Sequence, residues 1–529
     1  MSYPSIFNDV LGPVMRGPSS SHCAASLRIG RMCLDLMDGH IDSVIITYDP
    51  NGSLATTHKS QGSDMGLFSG FLGWEAHDER LPNYQEAIDQ AGIEIDICIE
   101  DIQAAHPNTY QIKLSNGKES RRLVALSTGG GMIEIIEIDG AQVSMQGDYY
   151  ETLIYVSQPG QVQDFLENTV EYDELELRKG TDTYFELKSQ SLLTEQTIQE
   201  LAAMEEVLFI KQVNPVLPIL SRRGLSIPFL TCEEMLIYNQ DKELALWELA
   251  LHYESARGNI PQEEVYERMR ELVEIMRTSI YEGLKGTEYE DRILGCQSGT
   301  FQEKMQRGEL VKGDVLNRII LFVTSMMEIK SSMGVIVAAP TAGACGALPG
   351  AVLGAVSALE LSEDDAIKAM LAAGIIGVFI SAHATFAAEV GGCQAECGSG
   401  SGMAAAAIVE LGKGNLNQAL SASSMALQNS LGMICDPIAN RVEAPCLGRN
   451  IMAASNALSC ANMALADYDA LIPLDQVIDT MDKVGKSIAH ELRCTALGGL
   501  SITPASKEIE ARLEGAENLS QAALRFKIC

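Results

Sequence analysis

Along the first part of the chain apolar and polar positions alternate in short runs, and beyond residue 228 they recur at helical spacing. Alternation over a handful of residues marks a strand with one buried face; an i, i+3, i+4 recurrence marks an amphipathic helix. "HIDSVIITYDPNGSLATT" (40–57) reads as strand, turn and strand about "DPNG". "IEIDICIE" (93–100), "TYQIKLSNGKESRRLVAL" (109–126) and "MIEIIEIDG" (132–140) add strands, with "SNG" closing a hairpin. Residues 1–150 are therefore predicted to form a mixed α/β unit.

Residues 151–216 change character. "TLIYVSQPGQVQDFLENT" is a strand followed by a helix opening at Pro159-Gly160, and "VEYDELEL" and "TYFELKS" are strands about "RKGTD". "TEQTIQELAAMEE" is a helix capped by Thr194, and "VLFIKQV" a last strand. The order βαββαβ is that of a ferredoxin-like module. Its first strand followed by "QPGQV" resembles the ACT family of amino-acid-sensing domains, which implies an amino-acid effector. "NPVLPILSRRGLSIP" (214–228) holds three prolines and Arg222-Arg223-Gly224, and is read as the connection, with the linker at 217–228. Residues 229–529 then carry helical periodicity almost throughout. The expected fold class is multidomain α+β: an N-terminal α/β domain, an ACT-like middle domain and a C-terminal all-α domain.

The 529 residues include 71 acidic and 38 basic side chains, a formal charge of −33. Nucleic acid is excluded as a partner, because phosphate binding needs a concentrated basic surface. The 13 cysteines are scattered through a large chain whose opening "MSYPSIFNDVLGP" lacks a basic flank and an apolar signal core, so reduced thiols in a cytoplasm are expected. The uncharged runs 331–359 and 369–388 are rich in Gly and Ala and lack basic flanks, so they are expected as packed internal helices and no membrane partner is expected.

The stretch "EVGGCQAECGSGSGMAAAA" (389–407) sets Cys393 and Cys397 among glycines, serines and alanines. Cys435 in "CDPIANRVEAPC" and Cys446 in "EAPCLGRN" lie beside proline or aspartate, in sequence expected to be irregular. Spacing alone leaves core packing and metal binding both open, since the usual signatures hold a tight pair such as CxxC.

"GPSSSH" (17–22), "HPNT" (106–109), "APTAGACG" (339–346), "GGCQAE", "CDPIANRVEAPC", "RNIMAASNA" and "LGGLSITP", taken in order, resemble the iron–sulfur-dependent L-serine dehydratases, with β and α portions fused in one chain. The resemblance implies dehydration and deamination of L-serine to pyruvate and ammonia on a [4Fe-4S] cluster, in a homodimer. It places the cluster ligands at Cys393, Cys435 and Cys446, and leaves Cys345 and Cys397 to packing. Three ligands leave one iron open, as a Lewis acid requires. His106 is the first candidate for the base that removes the α-proton, ahead of His22 and His58. Ser19, Ser20, Ser21, Asn108, Thr109, Gly129, Gly130, Thr341 and Arg493 are candidates for substrate binding. The terminal Cys529 carries a thiol and an α-carboxylate, and is expected as a reversible fourth ligand.

The chain also departs from the family. "HKSQGSD" (58–64) stands where relatives carry a histidine-containing "GKGHHTD"-like segment, so Gln61 and Gly62 occupy the histidine positions. "HATFAAE" (383–389) replaces "NASISGA", introducing His383 and Glu389. Alternatives to serine dehydration are cysteine desulfidation, since thiolate also leaves from a β-carbon, and amino-acid sensing without catalysis.

Overall fold

The structure is a computed structural model that describes residues 3–520. It is mixed α/β. Six strands form the first sheet: β1 (Ser43–Tyr48), β2 (Glu94–Ile99), β3 (Thr109–Ser115), β4 (Ser120–Gly129), β5 (Met132–Ile138) and β6 (Ala141–Met145). Their order is β2-β1-β3-β4-β5-β6, with β1 and β2 parallel and every other pair antiparallel. Alternation does what it should on β4, where Leu123 and Ala125 are buried and Arg122 is exposed. Helices α1 (Ala25–Leu36) and α2 (Ser63–Phe71) join this core through Ile29, Cys33, Leu67 and Phe68.

One predicted strand is absent. Leu54–Thr57 is a helical turn, not the second arm of a hairpin. The cause is local: the Thr57 hydroxyl donates back to the Ser53 carbonyl at 2.7 Å, and Ser53 N donates to the Pro107 carbonyl. Such hydroxyl-to-backbone bonds compete with a strand ladder.

The next elements follow one another as β7 (Tyr150–Val156), α3 (Gly160–Thr169), β8 (Glu174–Lys179), β9 (Thr183–Ser189), α4 (Glu195–Ala202) and β10 (Val207–Val213). Their sheet runs β10-β7-β9-β8, all neighbours antiparallel. One face meets the two helices through Ile154, Val162, Leu166, Phe185 and Leu201. The other, with Leu153, Tyr155 and Tyr184, joins the core of the first sheet. Thr194 caps α4, its hydroxyl accepting from Thr197 N at 3.2 Å. Residues 217–228 hold neither helix nor strand, yet they are pinned: Ile219 and the Asn8 amide exchange two hydrogen bonds, of 2.7 and 3.0 Å.

Helices dominate thereafter, chiefly α5 (Leu246–Gly258), α6 (Gln262–Leu284), α7 (Asp314–Ser331), α8 (Ala347–Ala358), α9 (Glu363–His383), α10 (Ser399–Leu411), α11 (Leu416–Gln428), α12 (Cys446–Leu465) and α13 (Leu474–Ser487). Among the described residues, α9 alone is long and apolar enough to cross a membrane, and 78% of its most apolar window is buried in the protein. This part is not purely helical. Ile336–Val337 pairs antiparallel with Val14–Met15, and Ile6, Phe7, Val10 and Leu11 lie in the core of the helices. Buried Glu254 on α5 fixes that N-terminal segment by accepting from Ser5 Oγ and Ile6 N. The first residues of the chain therefore tie the two halves together, and that brings the sequence motifs into one place.

Candidate active site

The three predicted cluster cysteines come from separate elements; Cys393 and Cys435 lie in one buried cluster, and Cys446 is close enough to feel the Cys393 charge. Cys393 follows Gly392, whose φ of +73° makes the turn; a Cβ there would stand 2.8 Å from the Met433 carbonyl oxygen. Cys435 lies in extended chain, where its N–H donates to Leu492 O and its carbonyl accepts from Cys494 N. Cys446 opens α12. All three are buried. Cys397 and Cys494 join them: the Cys393 and Cys397 sulfurs are 3.9 Å apart, and Cys435 packs in the same buried cluster as Cys393, Cys397 and Cys494. Cys397 is therefore part of this cluster of thiols as well as of the packing. Cys345 packs on Met327, its sulfur 3.9 Å from the Met327 sulfur.

Three polar side chains missed by sequence reasoning hold this arrangement. Asn450 Oδ1 accepts from Gly346 N and Ala347 N (3.2 and 2.8 Å), and its Nδ2 donates to Gly343 O and Cys446 O (2.8 and 2.9 Å). Asp436 accepts from Arg449 Nη2 at 2.5 Å and from Leu500 N at 2.7 Å, which explains why "CDP", "RN" and "LGGLS" occur together. The thiols of Cys397 and Cys435, with the Arg449 guanidinium, pull the Cys393 thiol well below the usual thiol range. Burial and the Cys393 charge push Cys446 up, and the Cys393 interaction pushes Cys397 and Cys435 up. Burial, the charge of Cys393 and Glu389 together lift Glu396 to about 8.

The first 150 residues supply the opposite wall. His22 is fully buried; its Nδ1 is 3.0 Å from Ser19 Oγ and 3.5 Å from Glu389 Oε1, and its Nε2 is 2.8 Å from Thr57 Oγ1. Burial drives its pKa down to about 3, so the ring is neutral. Ser20 Oγ accepts from Ala342 N, and the Ser21 carbonyl from Ser127 Oγ. Thr341 Oγ1 donates to Glu396 at 2.7 Å and accepts from Ala344 N. His58 Nδ1 faces the Asp64 carboxylate at 2.8 Å; burial opposes the charged ring, but Asp64 outweighs it and raises the pKa. His106 is half-buried before β3, its Nδ1 accepting from Asn108 N at 3.2 Å, and burial lowers its pKa. Thr109 donates to the His106 carbonyl. Asn108 is fully buried, and neither atom of its amide has a partner at good hydrogen-bond geometry.

Gly129 and Gly130 close the wall by contact. A Cβ on Gly129 would lie 2.8 Å from Ala387 N, while Gly130 packs towards the Pro340 carbonyl oxygen. Arg493 donates to the Val390 carbonyl at 3.3 Å, and its Nε has no partner. Gln61, where relatives carry histidine, reaches the Asn440 amide at 3.1 Å and the Cys494 sulfur at 3.5 Å. Cys529 lies outside the described residues.

The donor set suits a cluster better than a single ion. Among the described residues no three His, Cys, Asp or Glu side chains converge as one metal ion requires. Thiolates around a cluster each bind a different iron and need not converge on one point. Adjacent buried sulfurs beside a guanidinium match that demand.

Residues 241–501 match the family described as "Serine dehydratase alpha chain". The probable L-serine dehydratase alpha chain of Bacillus subtilis (strain 168) is 34% identical over 287 residues, which cover 54% of this chain and 96% of the relative. The chain belongs to the L-serine dehydratase family. The same organism's probable L-serine dehydratase beta chain is 38% identical over 154 residues, 29% of this chain and 69% of the relative. L-serine dehydratase 1 of Escherichia coli (strain K12) is 26% identical over 500 residues, 92% of this chain and 96% of the relative. Both portions of the family are thus present in this single polypeptide, and the walls they supply face each other within one chain.

Proposed function

We propose that this family member dehydrates L-serine to pyruvate and ammonia, with a [4Fe-4S] cluster on Cys393, Cys435 and Cys446. What supports the reading is that Cys393 and Cys435 share one buried cluster with Cys397 and Cys494, that Cys446 is buried and feels the Cys393 charge, and that His22 of "GPSSSH" stands against Glu389, four residues before Cys393. When bound, such a cluster supplies an open iron, a Lewis acid for a substrate oxygen. The remaining work falls to side chains. The α-proton passes to a histidine of the first 150 residues. His58 is better arranged for this than His106. With Nδ1 donating to Asp64, neutral His58 carries its lone pair on Nε2, which meets no hydrogen-bond partner among the described residues, the orientation a carboxylate imposes on a general base. His106 accepts a backbone N–H at Nδ1, so in its neutral form Nε2 carries the proton. Neutral His22, with Ser19 and Thr57, orients the wall, and Thr341 holds Glu396. Loss of water leaves aminoacrylate, which hydrolyses through the imine.

In this reading residues 1–150 are the β-type portion, 151–216 an ACT-like module that takes an amino-acid effector, 217–228 a linker and 229–529 the catalytic α-type portion of a cytoplasmic homodimer. The test is anaerobic incubation with L-serine. Pyruvate and ammonia should form in equal amounts, and Asp64→Asn should lower kcat while iron content stays at the parent level. Iron-replete protein that leaves serine unchanged would overturn the proposal.

A further inference from the structure

Two buried side chains at this site have bonding capacity that the protein leaves unused. The Glu389 side chain is 3% exposed, and its Oε2 meets no hydrogen-bond partner. Its Oε1 stands 3.5 Å from His22 Nδ1, too far for a firm hydrogen bond. His22 is neutral and lends it no charge. Among the described residues no lysine or arginine forms an ion pair with it. Among the described residues the side chain that favours the charged form of Glu389 is Asn108, itself fully buried, and neither atom of its amide reaches a partner at good hydrogen-bond geometry.

A buried carboxylate without a cation is costly, and so is a buried amide without hydrogen bonds. Local strain does not explain the pair. Both backbones are well held: Asn108 N donates to His106 and its carbonyl accepts from Ser127 N, while the turn Ala388–Gly391 is closed by Gly392 N on Ala388 O. The two side chains are therefore presented rather than misplaced. They come from the two opposing walls, and Glu389 stands four residues before Cys393.

We propose that Glu389 and Asn108 form the seat of the substrate's α-ammonium group, making them the residues that select an amino acid over the corresponding hydroxy acid. A primary ammonium has three donors and a single charge. One donor is directed to Glu389 Oε2, a second to Asn108 Oδ1, and the charge supplies what the carboxylate lacks. Asn108 Nδ2 remains to donate to a carboxylate oxygen. A bare metal ion fits less well, because these two groups offer too few donors.

The inference rests on the reading of the site as one for L-serine. The test compares L-serine with L-glycerate, which keeps the carboxylate and the β-hydroxyl but carries a hydroxyl where serine has ammonium. KM for serine and the inhibition constant for glycerate are measured on anaerobic, iron-replete parent, Glu389→Gln and Asn108→Ala. In Glu389→Gln the serine-over-glycerate preference should fall about 10- to 100-fold, the range of a charged hydrogen bond, with glycerate binding little changed. Asn108→Ala should lower it in the same sense by less. A parent-like preference in both variants would overturn the inference and leave serine dehydration standing. A parent that does not turn over serine would overturn both.

Discussion

Replacing Asn450 with alanine removes a side chain that joins "APTAGACG" to the helix opening at Cys446. Its Oδ1 covers the first two N–H groups at the start of α8, and its Nδ2 satisfies the buried Gly343 carbonyl. Losing the helix cap costs about 1–2 kcal/mol. Leaving a buried carbonyl unpaired adds about 1–3 kcal/mol. The Cys446 carbonyl stays within the ladder of α12 and adds little. The expected loss is therefore about 2–5 kcal/mol, a large share of the ~5–15 kcal/mol that a folded domain holds. Urea unfolding followed by far-ultraviolet circular dichroism measures it, with a lower midpoint and an unchanged slope expected. Asn450→Asp keeps the acceptor for both N–H groups and should lose about half as much. A loss under about 1 kcal/mol in Asn450→Ala would refute the reasoning, because at least one buried group would then have found another partner.

Two other expectations concern positions further along the same framework. Burial pushes Glu254 up to about 7 from its ordinary 4.5, so the folded chain holds a proton that the unfolded chain releases. That contribution is fully present below pH ~4.5 and is lost as pH rises through about 7, a change of about 3 kcal/mol that Glu254→Gln should abolish in unfolding measured across this window. Gly392→Ala places a Cβ at φ +73° and 2.8 Å from Met433 O, which should cost about 1–3 kcal/mol and displace Cys393. Iron content after anaerobic purification should fall, and parent-level iron would contradict the turn's role.

Much of this was legible in the chain. Period-two runs mark β1, β3, β4 and β9, and the acidic, amphipathic periodicity of α6 marks a helix. Thr194 reads as a cap because its hydroxyl precedes a helical run. Leu54–Thr57 misleads because threonine favours strands on average, whereas here the Thr57 hydroxyl bonds back to the Ser53 carbonyl and Ser53 N bonds Pro107 O. The pairing of Val14–Met15 with Ile336–Val337 could not be read, since two-residue strands far apart in sequence carry no period. The cysteines stand out by composition, whereas Asn450, Asp436 and Arg449 are ordinary polar residues until the fold makes them partners. Glu389 shows as a departure from the family's wording, but its vacant oxygen and its nearness to Asn108 exist only in three dimensions.

The most direct measurement is iron and acid-labile sulfide per chain, with the absorption spectrum, in strictly anaerobic parent protein and in Cys393→Ala, Cys435→Ala and Cys446→Ala. About four irons and four sulfides are expected in the parent, with most of both lost in each variant while the helical circular dichroism persists. Full cluster content in any of the three variants, or serine turnover by parent protein free of iron, would contradict the claim that these sulfurs hold the catalytic group.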